Sequence, residues 1–447
     1  MNVKSKLPKS VKLKTYLITI LLISVIFAGA LSYTIGQPYI GDVSEVWVQP
    51  PFHEASYVVG VYNSTFFYGM NGTTGKYEWL SADEESVINS VIGNATDGDT
   101  IYVKSGLYVL GATITDHSKN GITLILERGA ILKADTNLND NVIYISNVNY
   151  WRIIGGEIDG NKANQNGTPD GDDLNGVLME QVTHSSVESV YIHHCKRTGV
   201  QFSYPCHHGG VRDCHLAYNG WNGITLGGNI DFEDGYAINN WVEHSSDVGI
   251  SMYAIDTTIT GNHVTDMDQT DGYNNAGWGI SQEKGRECII ANNVVENVKK
   301  AYTISSITTR CIISNNVAKD WDRTGEYLAA IAVHGDYNLI SNNHLYTTEA
   351  TTNGIRLYGG TYNKVDGNTI ECAGNAVYVG DNGNYNDITN NWIKGATGVR
   401  IVAGCDYTFI SENNFDLSTD DISDSGNNTR YGNNLWKDGS YDNTPPA

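Results

Sequence analysis

Four residues in the C-terminal half of this 447-residue chain could carry acid–base chemistry: His334, Arg356, Tyr358 and Arg400. Removing a proton beside a carboxylate requires a cation to neutralise the acid, a base for the proton and an acid for the leaving oxygen. In that scheme His334 is the base, Tyr358 the acid, and Arg356 or Arg400 the cation, with Arg400 otherwise binding substrate. Glu283, Tyr378 and Tyr253 fall in the same pattern as substrate-binding groups, and Trp278 and Trp321 stand where they either stack on sugar rings or pack at loop roots. A second set, Asp266, Asp268 and Asp271, clusters carboxylates in one long insertion, as does Gly167-Thr-Pro-Asp-Gly-Asp-Asp173 in another. Such oxygen-rich loops suit Ca2+, although neither has the EF-hand spacing, and on an acidic chain they also read as solvated surface. No other cofactor is implied. The competing reading of the first set is an ordinary exposed sheet with mixed polar side chains.

What would bring these residues together is a repeat. The phrase Ile259-Thr-Gly-Asn262 returns as Ile290-Ala-Asn-Asn293, Ile313-Ser-Asn-Asn316, Ile340-Ser-Asn-Asn343, Val365-Asp-Gly-Asn368, Ile388-Thr-Asn-Asn391 and, shifted by one, Ile410-Ser-Glu-Asn413. In phase with it runs Gly-Ile-x-hydrophobic, with the inward residue at Val177, Val200, Ile224, Ile250, Ile280, Ile304, Ile331, Ile355, Val377 and Val399. A period of about 25 residues means one supersecondary unit stacked on copies of itself. Each unit holds short Val, Ile and Tyr runs alternating with period 2 and broken by Gly, Asn and Asp, so the units are strands and turns. The fold expected is all-β, a right-handed parallel β-helix of about 11 to 13 coils. The asparagine is expected both to adopt the left-handed turn and to bond its copy in the next coil.

On the Gly-Ile-x-hydrophobic strand the residue after the inward one points out, as does the one two further on. The first outward column then runs through Leu178, Gln201, Thr225, Ser251, Ser281, Ser305 and Ala332 to Arg356, Tyr378 and Arg400. The second runs through Tyr253, Glu283 and Ile307 to His334 and Tyr358. A separate column, Tyr337, Tyr362, Tyr385 and Tyr407, reads as structural stacking.

Seven cysteines, an odd number, argue against a disulfide framework. Cys288 and Cys311 occupy one inward site in adjacent coils, filled later by Asn338, Asn363 and Asn386, and read as a buried thiol pair or a disulfide. Cys195, Cys206 and Cys214 lie among His193, His194, His207, His208 and His215, but on different faces of the coil, which speaks against one zinc site made from all of them.

Around the rod, Lys4 to Lys14 precede an apolar run from Thr15 to Gly36, which reads either as a membrane anchor or as a signal peptide cut after Ala28-Gly-Ala30. Export is expected in both cases, to the cell surface or beyond. Residues 37–80 suggest a small β-hairpin pedestal. Ser81-Ala-Asp-Glu84 is expected to cap a short helix, with Val87, Ile88, Val91 and Ile92 inward, that closes the N-terminal end; residues 81–415 form the helix proper and 416–447 a cap and tail. A net charge of −22 excludes nucleic acid as a partner.

Asp97-Gly-Asp-Thr-Ile-Tyr-Val-Lys-Ser-Gly-Leu-Tyr108, Ile122-Thr-Leu-Ile-Leu-Glu-Arg-Gly-Ala-Ile-Leu132 and Gly155-Gly-Glu-Ile-Asp-Gly-Asn-Lys162 resemble the opening of pectin-lyase-like right-handed β-helix proteins. That superfamily includes pectate lyases, polygalacturonases, mannuronan C5-epimerases and phage tailspikes, and the resemblance implies an acidic polysaccharide or cell-surface glycan as partner. The hydrolase phrases are missing apart from a partial likeness at Gly398-Val-Arg-Ile401, and where the epimerases carry Asp-Pro-His-Glu this chain has Gln201-Phe-Ser-Tyr204. Two functions are therefore expected to compete: binding and lyase-type cleavage of an acidic polysaccharide, or a non-catalytic surface protein in which the rod is a spacer.

Overall fold

The computed structural model describes residues 55–168, 174–228, 232–267, 276–304, 308–321, 329–348, 352–436 and 441–442. The leader, Asp268, Asp271 and the acids of 169–173 lie outside the described residues. Within them the chain winds into a right-handed parallel β-solenoid of about 13 turns.

One coil shows the construction. Thr258–Thr260 forms a first face, His263–Thr265 a second and Trp278–Arg286 a third. The strands Ile289–Ala291, Val294–Glu296 and Lys300–Ile304 lie parallel against them, residue opposite residue. Because side chains alternate along a strand, each face sends one column inward, and Ile259, Val264 and Ile280 are fully buried. The column of glycines before the third-face residue lets coils approach closely: a Cβ at Gly199 or Gly223 would lie 2.8 and 2.7 Å from the carbonyl oxygen of the next glycine.

The corner between the first and second faces is built by two neighbouring positions with separate tasks. Left-handed backbone falls on the residue before each ladder asparagine, as at Asn292 (φ 58°), Asn315 (55°), Asn342 (55°) and Asn390 (57°), or on Gly261 and Gly367. The ladder asparagine itself turns inward, and its Nδ2 donates to Oδ1 of the next rung at 2.9–3.1 Å without a break from Asn240 to Asn434. One residue cannot do both, because in this turn the left-handed position carries its side chain to the surface while the bond requires a buried amide. A second, shorter ladder joins Cys311, Asn338, Asn363 and Asn386 through backbone N–H groups and Oδ1 atoms at 2.8–2.9 Å. All seven cysteines are buried and unbridged in the structure, Cys288 and Cys311 among them.

One coil departs from the repeated phrase. Tyr302, not Ile304, stands between Ile280 and Ile331 in the inward column, so Thr303 replaces Ser305 in the outward one. Tyr302 is fully buried, with its hydroxyl 3.1 Å from the carbonyl oxygens of both Asn293 and Val317. A buried phenol is tolerated there because the coil edges supply its partners.

Before the first coils, Tyr57–Val61, Phe67–Asn71 and Tyr77–Ser81 form an antiparallel meander, whose first strand also pairs in parallel with Thr100–Val103. The helix Glu84–Asn94 buries Val87, Ile88, Val91 and Ile92 in the common core. Its N-cap is Asp83, two residues after the expected Ser81 and without a side-chain capping bond, and Ser81 Oγ instead accepts the Asp83 N–H at 3.0 Å. No helix among the described residues is long and apolar enough to cross a membrane. Parallel pairing continues beyond residue 415 through Asn414–Asp424 and Arg430–Gly432.

Candidate functional site

Third-face strands place the candidates. Opposite one another, coil by coil, stand Ser251, Ser281, Thr303, Ala332, Arg356, Tyr378 and Arg400. The four lower residues are buried, and only Arg356, Tyr378 and Arg400 reach solvent.

Around Arg356 the side chains converge. The His334 and Tyr358 rings stack with centroids 4.2 Å apart and planes 4° from parallel. The Arg356 guanidinium lies over Tyr358 at 3.8 Å and over Tyr378 at 4.8 Å, and Arg400 lies 6.0 Å from the Tyr378 ring on the far side. Burial, followed by the charges of Lys300 and Arg356, holds the His334 imidazole below its ordinary value of 6.5, so it is neutral at neutral pH. Burial raises the Tyr358 phenol above 10 and outweighs Arg356, which acts in the other direction, so the phenol stays protonated. A neutral base, a protonated acid and fixed cations therefore share one surface.

Two members of this surface are absent from the sequence reading. Lys300 lies 4.4 Å over the Trp278 ring, and burial and then Arg356 lower its basicity. Asp247 is buried, accepts the Trp221 indole N–H at 2.7 Å and raises Glu283 as a secondary cause after burial. Ser281 Oγ donates to Glu283 Oε1. Lys300 was hidden by the Tyr302 exchange, since Ala301-Tyr302-Thr303 does not look like Gly-Ile-x; reading Ala for Gly and Tyr for Ile would have exposed it. Nothing short of the loop path signals Asp247, which precedes the repeat phrase.

The remaining candidates divide. Tyr253 faces Lys284 rather than Glu283, because the register shifts between Met252 and Tyr253, and its phenol is pushed up to about 12, first by burial and then by Glu283 and Asp247. Trp278 is half-buried beneath Lys300, whereas Trp321 is fully buried and donates its indole N–H to the Asn353 carbonyl at 3.0 Å, which makes it a packing residue. Asp266 accepts the Thr265 hydroxyl at 3.0 Å, and its expected Ca2+ partners Asp268 and Asp271 lie outside the described residues. Tyr337, Tyr362, Tyr385 and Tyr407 stack at 4.8–5.0 Å, as expected of a structural column. A shallow concavity at Thr347, Glu371, Lys394 and Asp416 contains none of the candidates, and its Lys394–Glu371 pair is closed at 2.9 Å.

A family model described as a right-handed β-helix region matches residues 248–415. Among solved structures, the chain is similar to the pre-mature bacteriophage phi29 gene product 12 (TM-score 0.61, 15% identity, covering 81% of this chain and 56% of that one). It is also similar to the catalytic domain of a GH87 α-1,3-glucanase in complex with nigerose (0.55, 13%, covering 87% and 70%). A third is the A-module of the Azotobacter vinelandii mannuronan C-5 epimerase AlgE4 (0.52, 15%, covering 78% and 93%). No curated protein sequence matches the chain.

Proposed function

We propose that this chain, a pectin-lyase-like right-handed β-helix in fold, binds an acidic polysaccharide along its third face and cleaves it by elimination. The observation that carries this reading is the gathering of Lys300, Arg356 and Arg400 on one face of a chain whose net charge is −22, with His334 and Tyr358 between them. In the reaction, Arg356 neutralises a uronate carboxylate and the neutral His334 takes the C5 proton. The C4–O bond breaks, the Tyr358 phenol protonates the leaving oxygen, and a C4=C5 double bond remains. Base and acid approach from the same protein face, so the reading favours a polymer whose C5 proton and C4 oxygen are on one side of the ring. The epimerase and the glucanase act on polysaccharides, which supports the class of partner and nothing finer. Export through the leader, anchored or cleaved, and closure of the rod by the helix Glu84–Asn94 belong to the same proposal.

A second reading, a rod that only presents or spaces, is favoured by one observation. His334 and Tyr358 stack in the same manner as the four tyrosines of the structural column. Incubation with uronate polymers, watching the ultraviolet absorbance of the new double bond, separates the two. Absorbance should rise with wild-type protein and stop with His334→Ala or Tyr358→Phe. Binding without product would leave a glycan-binding protein, and no binding to any polymer would leave the spacer.

A further inference from the structure

We infer that Asp159, His193 and His194 form a site for a borderline divalent transition metal such as Zn2+, on the second face and independent of the third-face surface. Asp159 and His193 stand opposite each other in adjacent coils, and His194 follows at the left-handed corner with φ 50°. One potential ligand atom from each of the three lies within 4.8 Å of the others. Two imidazoles and a carboxylate are a donor set that selects zinc-like ions over Ca2+ or Mg2+, and three protein ligands leave a position open.

The histidines are held for the task. Glu157 Oε1 lies 3.0 Å from His193 Nε2, so the proton sits on Nε2 and the Nδ1 lone pair faces inward. Nδ1 of His194 lies 2.6 Å from that lone pair. Two imidazole nitrogens aimed at each other need a proton or a cation between them. The ring planes are fixed as well: Tyr191 stacks on His193 at 4.4 Å and Tyr218 on His194 at 5.2 Å. In the next coil the residue opposite His193 is Ala217, which contributes no competing polar group. Cys195, the neighbouring thiol, is fully buried and faces the core, so sulfur takes no part. Asp159 is already partnered: Lys133 pairs with Oδ2 and the Asn161 N–H donates to Oδ1 at 2.8 Å. A bound ion must therefore share Asp159 with an ammonium, and removing that ammonium should help it.

Titrating the full chain with Co2+ and Zn2+, followed by visible absorption and calorimetry, tests the site without any activity. One ion per chain should bind, about tenfold or more weakly in Asp159→Asn and in His194→Ala. Affinity should rise in Lys133→Met and stay unchanged in His263→Ala, whose histidine pairs with Glu296 and packs on Trp241 instead. Circular dichroism of each variant confirms the fold. Absence of saturable binding by wild type overturns the site, as does equal binding by Asp159→Asn and His194→Ala. So does a sulfur-to-cobalt charge-transfer band, which would place the ion on cysteine.

Discussion

Arg356 touches two rings at once, and that contact fixes a guanidinium that solvent would otherwise leave mobile. Replacing both Arg356 and Arg400 with alanine should weaken binding of an acidic glycan more than tenfold, about 1.4 kcal/mol or more, with thermal unfolding unchanged. If the double variant binds normally while Trp278→Ala does not, the ligand is neutral and stacks. His334 gives a pH signature. Its native value is depressed, so above about 6.5 neither folded nor unfolded protein carries a proton there. As pH falls below that value the unfolded chain binds the proton first, and this contribution to stability is lost as pH falls through the folded value. Urea midpoints at about pH 7.5 and about pH 5 should therefore fall further for wild type than for His334→Gln; equal falls would show an ordinary histidine. These residues were readable because they sit at fixed phase in a regular strand. Lys300 was not, since one large aromatic in an aliphatic column moved the apparent phase by two. Asp159 was missed for a different reason: it lies a whole coil away from its histidines, and only the pairing register joins them.

At the scale of one corner, the division between adjacent asparagines makes opposite demands that mutation can separate. Asn316→Leu or Asn343→Leu removes a buried donor and acceptor from a continuous ladder and should cost about 1–3 kcal/mol in unfolding free energy. Asn315→Gly one position earlier should be close to neutral, and Asn315→Ala should cost about 1–2 kcal/mol, because only the left-handed backbone matters there. Chemical denaturation of the four variants checks the pattern, and a costly Asn315→Gly would mean that the exposed side chain bonds after all. The sequence showed that a ladder exists, because identical residues recur in one place. It also showed which asparagine recurs, since Asn262, Asn368 and Asn413 keep their place where the residue before is Gly261, Gly367 or Glu412. It did not show that the left-handed backbone falls on that preceding residue, which the turn geometry decides.

Across the whole molecule, the charge of −22 opposes the local cations of the third face. Raising ionic strength from about 0.01 M to about 0.15 M shortens the Debye length from roughly 30 to roughly 8 Å, which screens the distant acids more than ion pairs in contact. Affinity for an acidic polymer should thus rise over that range and fall only toward about 1 M; a steady decline from the lowest salt would show that the global charge plays no part. Solenoid class was legible from the period alone, but loop paths were not, because successive rungs close the same bond over anything from 21 to 31 residues. That tolerance makes the rod an editable ruler. Excising Thr369 through Asn391, the 23 residues from one rung to the next, would join Asn368 to Trp392, which already pairs with Thr369 one coil below. Arg400 would then land on the coil directly above Arg356, with Tyr378 gone from between them. The interval between the two cations would halve from about 10 to about 5 Å, so the charge repeat that the surface measures could be rewritten by a single deletion.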